Sequence, residues 1–163
     1  METPEGLLAR LAAAGIAART EWHAPVFTVA ESRALRGALP GAHSKNLFLR
    51  AAKGEGFFLA VLEESRAVSV NSLARAAGWP RVSMASAEEL RAVLGVAPGS
   101  VTPFGLVNAP PGSVAVAMDA ALARAEGLVW FHPLANRAST GLAAADLLRF
   151  LEGLGHRVAV LEL

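Results

Sequence analysis

The chain has 163 residues, the length of one domain and enough to bury a sizeable core, with a formal net charge of +1 that gives no global nucleic-acid signature. It contains no cysteine and no tyrosine, which excludes disulfides, thiolate metal sites, a cysteine nucleophile and a phenolic acid. Although 53% of residues are hydrophobic, no apolar run approaches the roughly 20 residues a membrane-spanning helix needs, and no basic segment followed by an apolar one opens the chain, so the expectation is a soluble, cytoplasmic protein.

Pro4 to Ala14 reads as an amphipathic helix, with Leu7, Leu8 and Leu11 on one face and Gly15 ending it. Arg19 to Trp22 reads as a short strand stopped near Pro25. Thr28 and Glu31 make a capping-box pattern that predicts a helix from Val29 to Leu35, ended by Gly37. Pro40 and Gly41 then open a loop, Gly41-Ala42-His43-Ser44-Lys45-Asn46, before the apolar run of a buried strand. Asn46–Ala51 and Gly56–Leu62 predict two apolar strands joined by the turn Lys53-Gly54-Glu55-Gly56.

Val68 to Val70 reads as a further short strand or an extension of the last one. Asn71 or Ser72 caps a small helix over Leu73–Ala77, ended by Gly78 and Pro80. Ser86 and Glu89 repeat the capping-box pattern and predict a helix over Ala87–Leu94, closed by Gly95 and Pro98. Gly99 to Asn108 is rich in turn residues and forms a second candidate loop. Val114–Met118 is a predicted strand, and Asp119 caps a short helix to Arg124. Leu128–Phe131 is a predicted strand that runs into His132-Pro133-Leu134-Ala135-Asn136, with an extended Ser139–Leu142 behind it. Ala143–Leu154 is an amphipathic helix carrying Leu147, Leu148 and Leu151 on its apolar face, and Arg157–Leu163 closes the chain as a strand. Helices and short strands alternate irregularly. The fold class is therefore α+β, one compact domain spanning 1–163, with a mixed, largely antiparallel sheet flanked by helices.

The loop before the first buried strand is the sharpest chemical signal. The chain uses 13 arginines and two lysines, Lys45 and Lys53. In so arginine-biased a chain, a lysine at the mouth of a strand suits ammonium chemistry, because lysine is a compact charge whose pKa can move whereas guanidinium stays charged; read locally, it suits an ordinary solvated surface lysine as well. Residues 1–53 hold seven Lys and Arg against four Glu; the remainder holds eight Arg against ten acids. Such an imbalance suits an anionic ligand near the loop as well as it suits scattered solvated charge.

The remaining inventory is negative. His23, His43, His132 and His156 lack zinc-ligand spacing, and no phosphate-loop, dinucleotide or nucleophile-elbow motif is present. Ser44 and His43 are adjacent, and neighbours on a strand point to opposite sides, so they make a poor dyad. Glu63-Glu64 reads as a solvated strand end, and Trp22, Trp79 and Trp130 as core or rim aromatics.

Three segments occur in one order: Gly41-Ala42-His43-Ser44-Lys45-Asn46-Leu47-Phe48-Leu49, then Gly99-Ser100-Val101-Thr102-Pro103-Phe104-Gly105-Leu106, then His132-Pro133-Leu134-Ala135-Asn136 with Ser139-Thr140 behind it. Together they resemble the YbaK/ProX family of aminoacyl-tRNA deacylases, related to the insertion domain of bacterial prolyl-tRNA synthetase. The branch most similar is the free-standing one that clears alanine from mischarged proline tRNA. The resemblance runs from the Thr28 helix to the helix ending at Leu154. It implies hydrolysis, without a metal or other cofactor, of the ester joining an amino acid to the terminal adenosine of tRNA. It implies the acceptor end of a mischarged tRNA as partner, with prolyl-tRNA synthetase as a further one, and neither DNA nor a membrane.

Carried over by position, the resemblance makes Lys45 the central functional residue. It assigns Asn46 to substrate placement, beside His43 and Ser44. Gly105 with Phe104, His132, Asn136 and Thr140 complete the pocket. Ester hydrolysis puts negative charge on the former carbonyl oxygen, and the Lys45 ammonium and backbone N–H groups around Gly105 are the donors to name for it. Lys45 has two alternative roles: anchoring the terminal phosphate or ribose while water and the substrate's 2′-hydroxyl move the proton, or acting as a base with lowered pKa. Candidate walls of a pocket that rejects proline by size are Val29, Leu47, Phe104 and Leu134. Arg33, Arg36, Arg50 and Lys53 are the candidate phosphate contacts, and their binding would weaken with salt. Two alternatives stay open: the same chemistry on another mischarged tRNA such as Cys-tRNA(Pro), and a non-catalytic module that captures a tRNA acceptor end or a synthetase.

Overall fold

Alternation along the third strand accounts for the layering of the molecule. Leu59 and Val61 point into one apolar cluster, and Phe58, Ala60 and Leu62 into a second on the opposite face. A strand apolar on both faces must be covered on both, and helices supply the cover. The computed structural model describes residues 1–26 and 28–163, and for Val29 the main chain only.

In chain order the elements are α1 (Pro4–Ala13), β1 (Arg19–Trp22), α2 (Val29–Ala38), β2 (Ala42–Ala51), β3 (Phe57–Glu63), α3 (Val70–Ala77), β4 (Val82–Met84), α4 (Ala87–Leu94), a 3-10 helix (Pro103–Asn108), β5 (Val114–Asp119), α5 (Ala120–Ala123), β6 (Leu128–Phe131), β7 (Ala138–Ala143), α6 (Ala144–Gly153) and β8 (Val158–Leu161). The strands lie in the order β1-β7-β6-β2-β3-β5-β8, with β4 paired to β2. The β1–β7, β6–β7, β2–β3 and β2–β4 pairings are antiparallel, and β2–β6, β3–β5 and β5–β8 are parallel. The sheet is mixed, as the irregular alternation of elements predicts.

The larger core packs α1, α4, the 3-10 helix and α6 against the sheet, with Leu7, Leu11, Leu94, Phe104, Leu147 and Leu151 at its centre. The smaller one packs α3 against β2, β3 and β4 through Leu49, Leu62, Leu73 and Val82. Capping follows the sequence closely at α4, where Ser86 and Glu89 form both halves of the box. Asp119 caps α5, accepting from the Ala121 N–H at 3.0 Å.

Three expectations need correction, and one strand has no counterpart among them. The helix α2 runs through Gly37 to Ala38, because an exposed mid-helix glycine weakens a helix by about 1 kcal/mol and does not by itself stop one. Val68–Val70 is not a strand: Ser69 caps α3 by accepting from the Ser72 N–H, and Val70 is its first residue. The three-residue strand β4 went unpredicted. Residues Ala42–Lys45, read as loop, are the start of β2, because Ala42 and His43 pair with Val129 and Trp130 of β6. Gly41 permits this join. It has φ +123°, and a Cβ there would lie 2.2 Å from the Leu128 carbonyl oxygen.

Candidate active site

At the junction of β2 with β6, the strand leaves one half of the sheet and enters the other. The face vacated there is closed by α2 and by the turn after β3, which together enclose a cavity of about 470 Å³. Its polar lining comes from His43, Ser44, Lys45 and Asn46 of β2, His132, Ser139, Arg36, Glu64 and the Thr28 and Ser32 end of α2. Its apolar lining is Val26, Leu35, Leu39, Trp130 and Phe131. A volume of this size suits a small molecule or the terminus of a larger one.

Trp130 organises the β2 side. Its indole N–H donates to the Pro40 carbonyl at 2.8 Å, and its own carbonyl accepts from Ser44 Oγ at 2.9 Å. Its ring stacks on His43 at 6.4 Å with 12° between the planes. His43 Nε2 donates to the Leu39 carbonyl at 3.0 Å, tying β2 to the end of α2. Asn46 Nδ2 donates to Ser44 Oγ at 3.2 Å, and Asn46 Oδ1 is buried without a partner among the described residues. An unpaired buried acceptor costs about 1–3 kcal/mol, so a ligand donor there has a ready reward. Lys45 is exposed, and its ammonium donates to the Arg66 carbonyl.

The opposite side is set by two histidines. His132 Nδ1 lies 2.9 Å from the Ala138 carbonyl, and a carbonyl can only accept, so Nδ1 carries the proton and Nε2 is an acceptor with no partner among the described residues. Burial lowers the His132 pKa, against the Ala138 hydrogen bond, and the nearby His23 lowers it further; the ring is neutral at pH 7. By the same reasoning His23 Nδ1 donates to the Ala24 carbonyl at 2.8 Å, and Nε2 accepts from Ser139 Oγ at 2.9 Å. The Ser139 lone pairs are then left to the cavity. Between these groups Leu134 has φ +69°, the one non-glycine residue with positive φ among the described residues. Strain of this kind collects at functional loops and costs of order 1–3 kcal/mol.

Arg36 crosses the mouth of the cavity, with Nε 2.8 Å from Glu64 Oε2 and Nη1 donating to Ser32 Oγ at 2.8 Å. Among the described residues no group of three or more His, Asp and Glu is placed to hold a metal. No described helix is long and apolar enough to cross a membrane.

A family model described as an aminoacyl-tRNA editing domain matches residues 23–150. The chain belongs to this family, the YbaK/ProX family. Prolyl-tRNA synthetase associated domain-containing protein 1 of Bos taurus is 36% identical over 156 residues, covering 94% of this chain and 91% of that one. The prolyl-tRNA editing protein ProX of Acetoanaerobium sticklandii is 29% identical over 163 residues, covering 100% and 99%. A crystal structure provisionally described as a trans-editing enzyme for prolyl tRNA synthetase superposes with a TM-score of 0.72, covering 100% and 99% of the two chains; at 24% identity this shows the shared fold.

Within this editing domain the residues expected from sequence fall into three groups. Lys45, Asn46, His43, Ser44, His132 and Arg36 meet at the cavity. Asn136 stands just behind it, with Nδ2 3.7 Å from where a Cβ on the cavity residue Gly99 would sit. The rest lie elsewhere. Phe104 is fully buried in the larger core and touches the site only through Phe131, edge to face at 5.9 Å. Gly105 is a packing glycine: a Cβ would lie 2.8 Å from Leu94 Cβ, and its N–H already donates to the Thr102 carbonyl. That N–H is not available to an oxyanion. Thr140 is buried and hydrogen-bonds Thr20 across β1 and β7 at 2.8 Å; its neighbour Ser139 faces the cavity instead.

Arg50 pairs with Glu89 at 3.2 Å, and Lys53 stands exposed in the β2–β3 turn. Five residues of strand, roughly 17 Å, separate Arg50 from Lys45. Arg33 is exposed on α2. Of the candidate walls, Leu47 packs on the smaller core and Leu134 in the larger one, and the Val29 side chain lies outside the described residues. Sequence reasoning missed His23, Ser139, Trp130 and Glu64 as site residues. The Ser139-Thr140 pair was visible, but the choice between its members depends on the register of β7.

Proposed function

We propose that the chain is a trans-editing hydrolase that cleaves the aminoacyl ester of mischarged tRNA, with alanyl-tRNA(Pro) as substrate and no metal in the reaction. The observation that carries the reading is that Lys45 and a neutral His132, whose Nε2 is an acceptor, line one cavity. The printed names of the relatives, prolyl-tRNA editing and prolyl-tRNA synthetase associated, support the tRNA and the synthetase as partners.

In this reading the terminal adenosine enters past Arg36. Water attacks the ester carbonyl, a C–O bond forms, and the carbonyl oxygen gains negative charge that the Lys45 ammonium stabilises. His132 Nε2 accepts the proton of the attacking water, as a neutral imidazole can. Collapse of the tetrahedral species breaks the bond to the ribose oxygen, which takes up the proton, and releases the free amino acid. Leu35, Leu39, Trp130 and Phe131 form the apolar wall that admits alanine and crowds proline. A synthetase cannot make this choice by itself, because a missing methylene is worth only about 1–3 kcal/mol.

Release of free amino acid from purified alanyl-tRNA(Pro) and prolyl-tRNA(Pro) tests the reading. Cleavage of the alanyl ester alone supports both the reaction and the sieve. Cleavage of another mischarged tRNA from a panel, such as cysteinyl-tRNA(Pro), would keep the chemistry and replace the substrate. Tight tRNA binding with no cleavage of any ester above the buffer rate would make the chain a binding module.

A further inference from the structure

A second cluster of charged side chains lies outside the cavity. Asp119, at the end of β5, is 1% exposed and accepts four hydrogen bonds. Arg66 Nε and Nη2 reach its two oxygens at 3.0 and 3.2 Å, a two-pronged pairing. The N–H of Glu63 and that of Ala121 complete the set at 3.1 and 3.0 Å. The third guanidinium nitrogen of Arg66 donates to the Leu163 main-chain oxygen at 2.9 Å. Burial alone would raise the Asp119 pKa, but the bonds from Arg66, Ala121 and Glu63 outweigh it and hold the carboxyl below its ordinary value. The same pairing raises the pKa of Arg66.

The site reading uses none of these groups. Yet the Arg66 carbonyl is the acceptor for the Lys45 ammonium. The turn that carries this carbonyl is short and polar: Glu63 bonds Ser65, and the Arg66 N–H bonds the Glu63 carbonyl. Among the described residues its start is held by the Glu64 N–H on the His43 carbonyl and by Glu64 on Arg36, and its Arg66 end by the fork on the buried Asp119. Resting on the reading of Lys45 as the group that serves the ester, we propose that Asp119 and Arg66 are positioning residues for Lys45. The fork on the buried Asp119 fixes the Arg66 carbonyl, and that carbonyl fixes the ammonium at the cavity.

An arginine is needed for this, since lysine supplies a point charge and cannot span both carboxylate oxygens while reaching Leu163. Displacing a catalytic group by about 1 Å can cost on the order of 100-fold in rate, so the effect on turnover should be large while the cavity wall stays intact.

The chain's two lysines make the test direct. Brief treatment of the full-length protein with an acetylating N-hydroxysuccinimide ester, read by peptide mass spectrometry, gives the modification of Lys45 relative to the exposed turn residue Lys53. Release from the Arg66 carbonyl presents the amine to the reagent. Arg66→Lys and Arg66→Gln should therefore raise the Lys45 to Lys53 ratio severalfold, and Asp119→Asn should do the same if it folds. Arg66 is part-exposed, so its variants keep the test alive should Asp119→Asn fail. In parallel, kcat for ester release should fall by on the order of 100-fold in Arg66→Lys with KM little changed, and Arg66→Lys should add nothing to Lys45→Ala. An unchanged acetylation ratio in both Arg66 variants, with only the melting temperature lowered, overturns the proposal. A changed ratio in a protein that cleaves no aminoacyl ester overturns the hydrolase reading and leaves the tether standing.

Discussion

Two turn-rich segments, 99–106 and 132–139, look alike in sequence, and the fold puts them to different uses. In the first, Thr102 Oγ1 accepts from the Phe104 N–H, the Gly105 N–H bonds Thr102, and Phe104 fills the core between Phe131 and Phe150. The Thr102 hydroxyl and carbonyl are both used inside the segment, and its aromatic is fully buried. In the second, His132 commits one ring nitrogen to the Ala138 carbonyl, as His23, which packs against the segment from the end of β1, does to the Ala24 carbonyl. The other nitrogen of His132 has no partner among the described residues, while His23 uses its own to turn Ser139 toward the cavity. A polar residue at a turn is a site residue when the fold leaves one of its atoms over, and a structural one when the turn itself uses them all.

The sharpest way to break that comparison is to remove one aromatic or imidazole from each segment. His132→Gln should lower the rate of ester release by about 10²–10⁴-fold, measured in single turnover, with the denaturant midpoint nearly unchanged. Phe104→Ala should do the reverse, destabilising the fold by about 3–5 kcal/mol in urea while the folded fraction turns over far faster than the His132 variant. If Phe104→Ala stays stable and loses activity selectively, the division between the segments is wrong.

A pH series sharpens it further. With the folded-state pKa of His132 lowered, the unfolded chain binds a proton first as pH falls below the ordinary histidine value of about 6.5. Stability from this group is therefore full above about pH 6.5 and declines from there down to the lower folded-state pKa. Urea midpoints measured between pH 7.5 and 5 should fall for the wild type and fall less for His132→Gln. A smaller effect is expected at the mouth. Arg36→Gln should reduce the slope of log affinity against log salt for tRNA by about one unit of phosphate contact, read by filter binding.

Much of the frame could be read from residues alone. The box at Ser86 and Glu89, the leucine stripe of α6 and the double-faced strand β3 each state their structure locally. Val68–Val70 misled because β-branched residues favour strands, whereas the Ser69 hydroxyl decides for a helix start. Ala42–Lys45 misled because its partner, β6, lies 87 residues further on in the register Ala42↔Val129, and only the tertiary pairing makes it a strand. At the site, Lys45, Asn46 and His132 stand out by residue type and order. Ser139 and His23 do not, because a one-residue change in the register of β7 would exchange Ser139 for Thr140. Gly105 was misread for a related reason. A glycine that admits a ligand and one that admits Leu94 look the same in sequence.

The central claim is that the cavity is an esterase site in which the Lys45 ammonium stabilises the transition state. Single-turnover release of free alanine from alanyl-tRNA(Pro), by the wild-type protein and by Lys45→Ala at saturating protein, tests it most directly. The account predicts wild-type release well above the buffer rate and a loss of about 10²–10³-fold in the variant, with tRNA binding retained. Equal release by the two proteins, or a loss explained wholly by weaker tRNA binding, would contradict it.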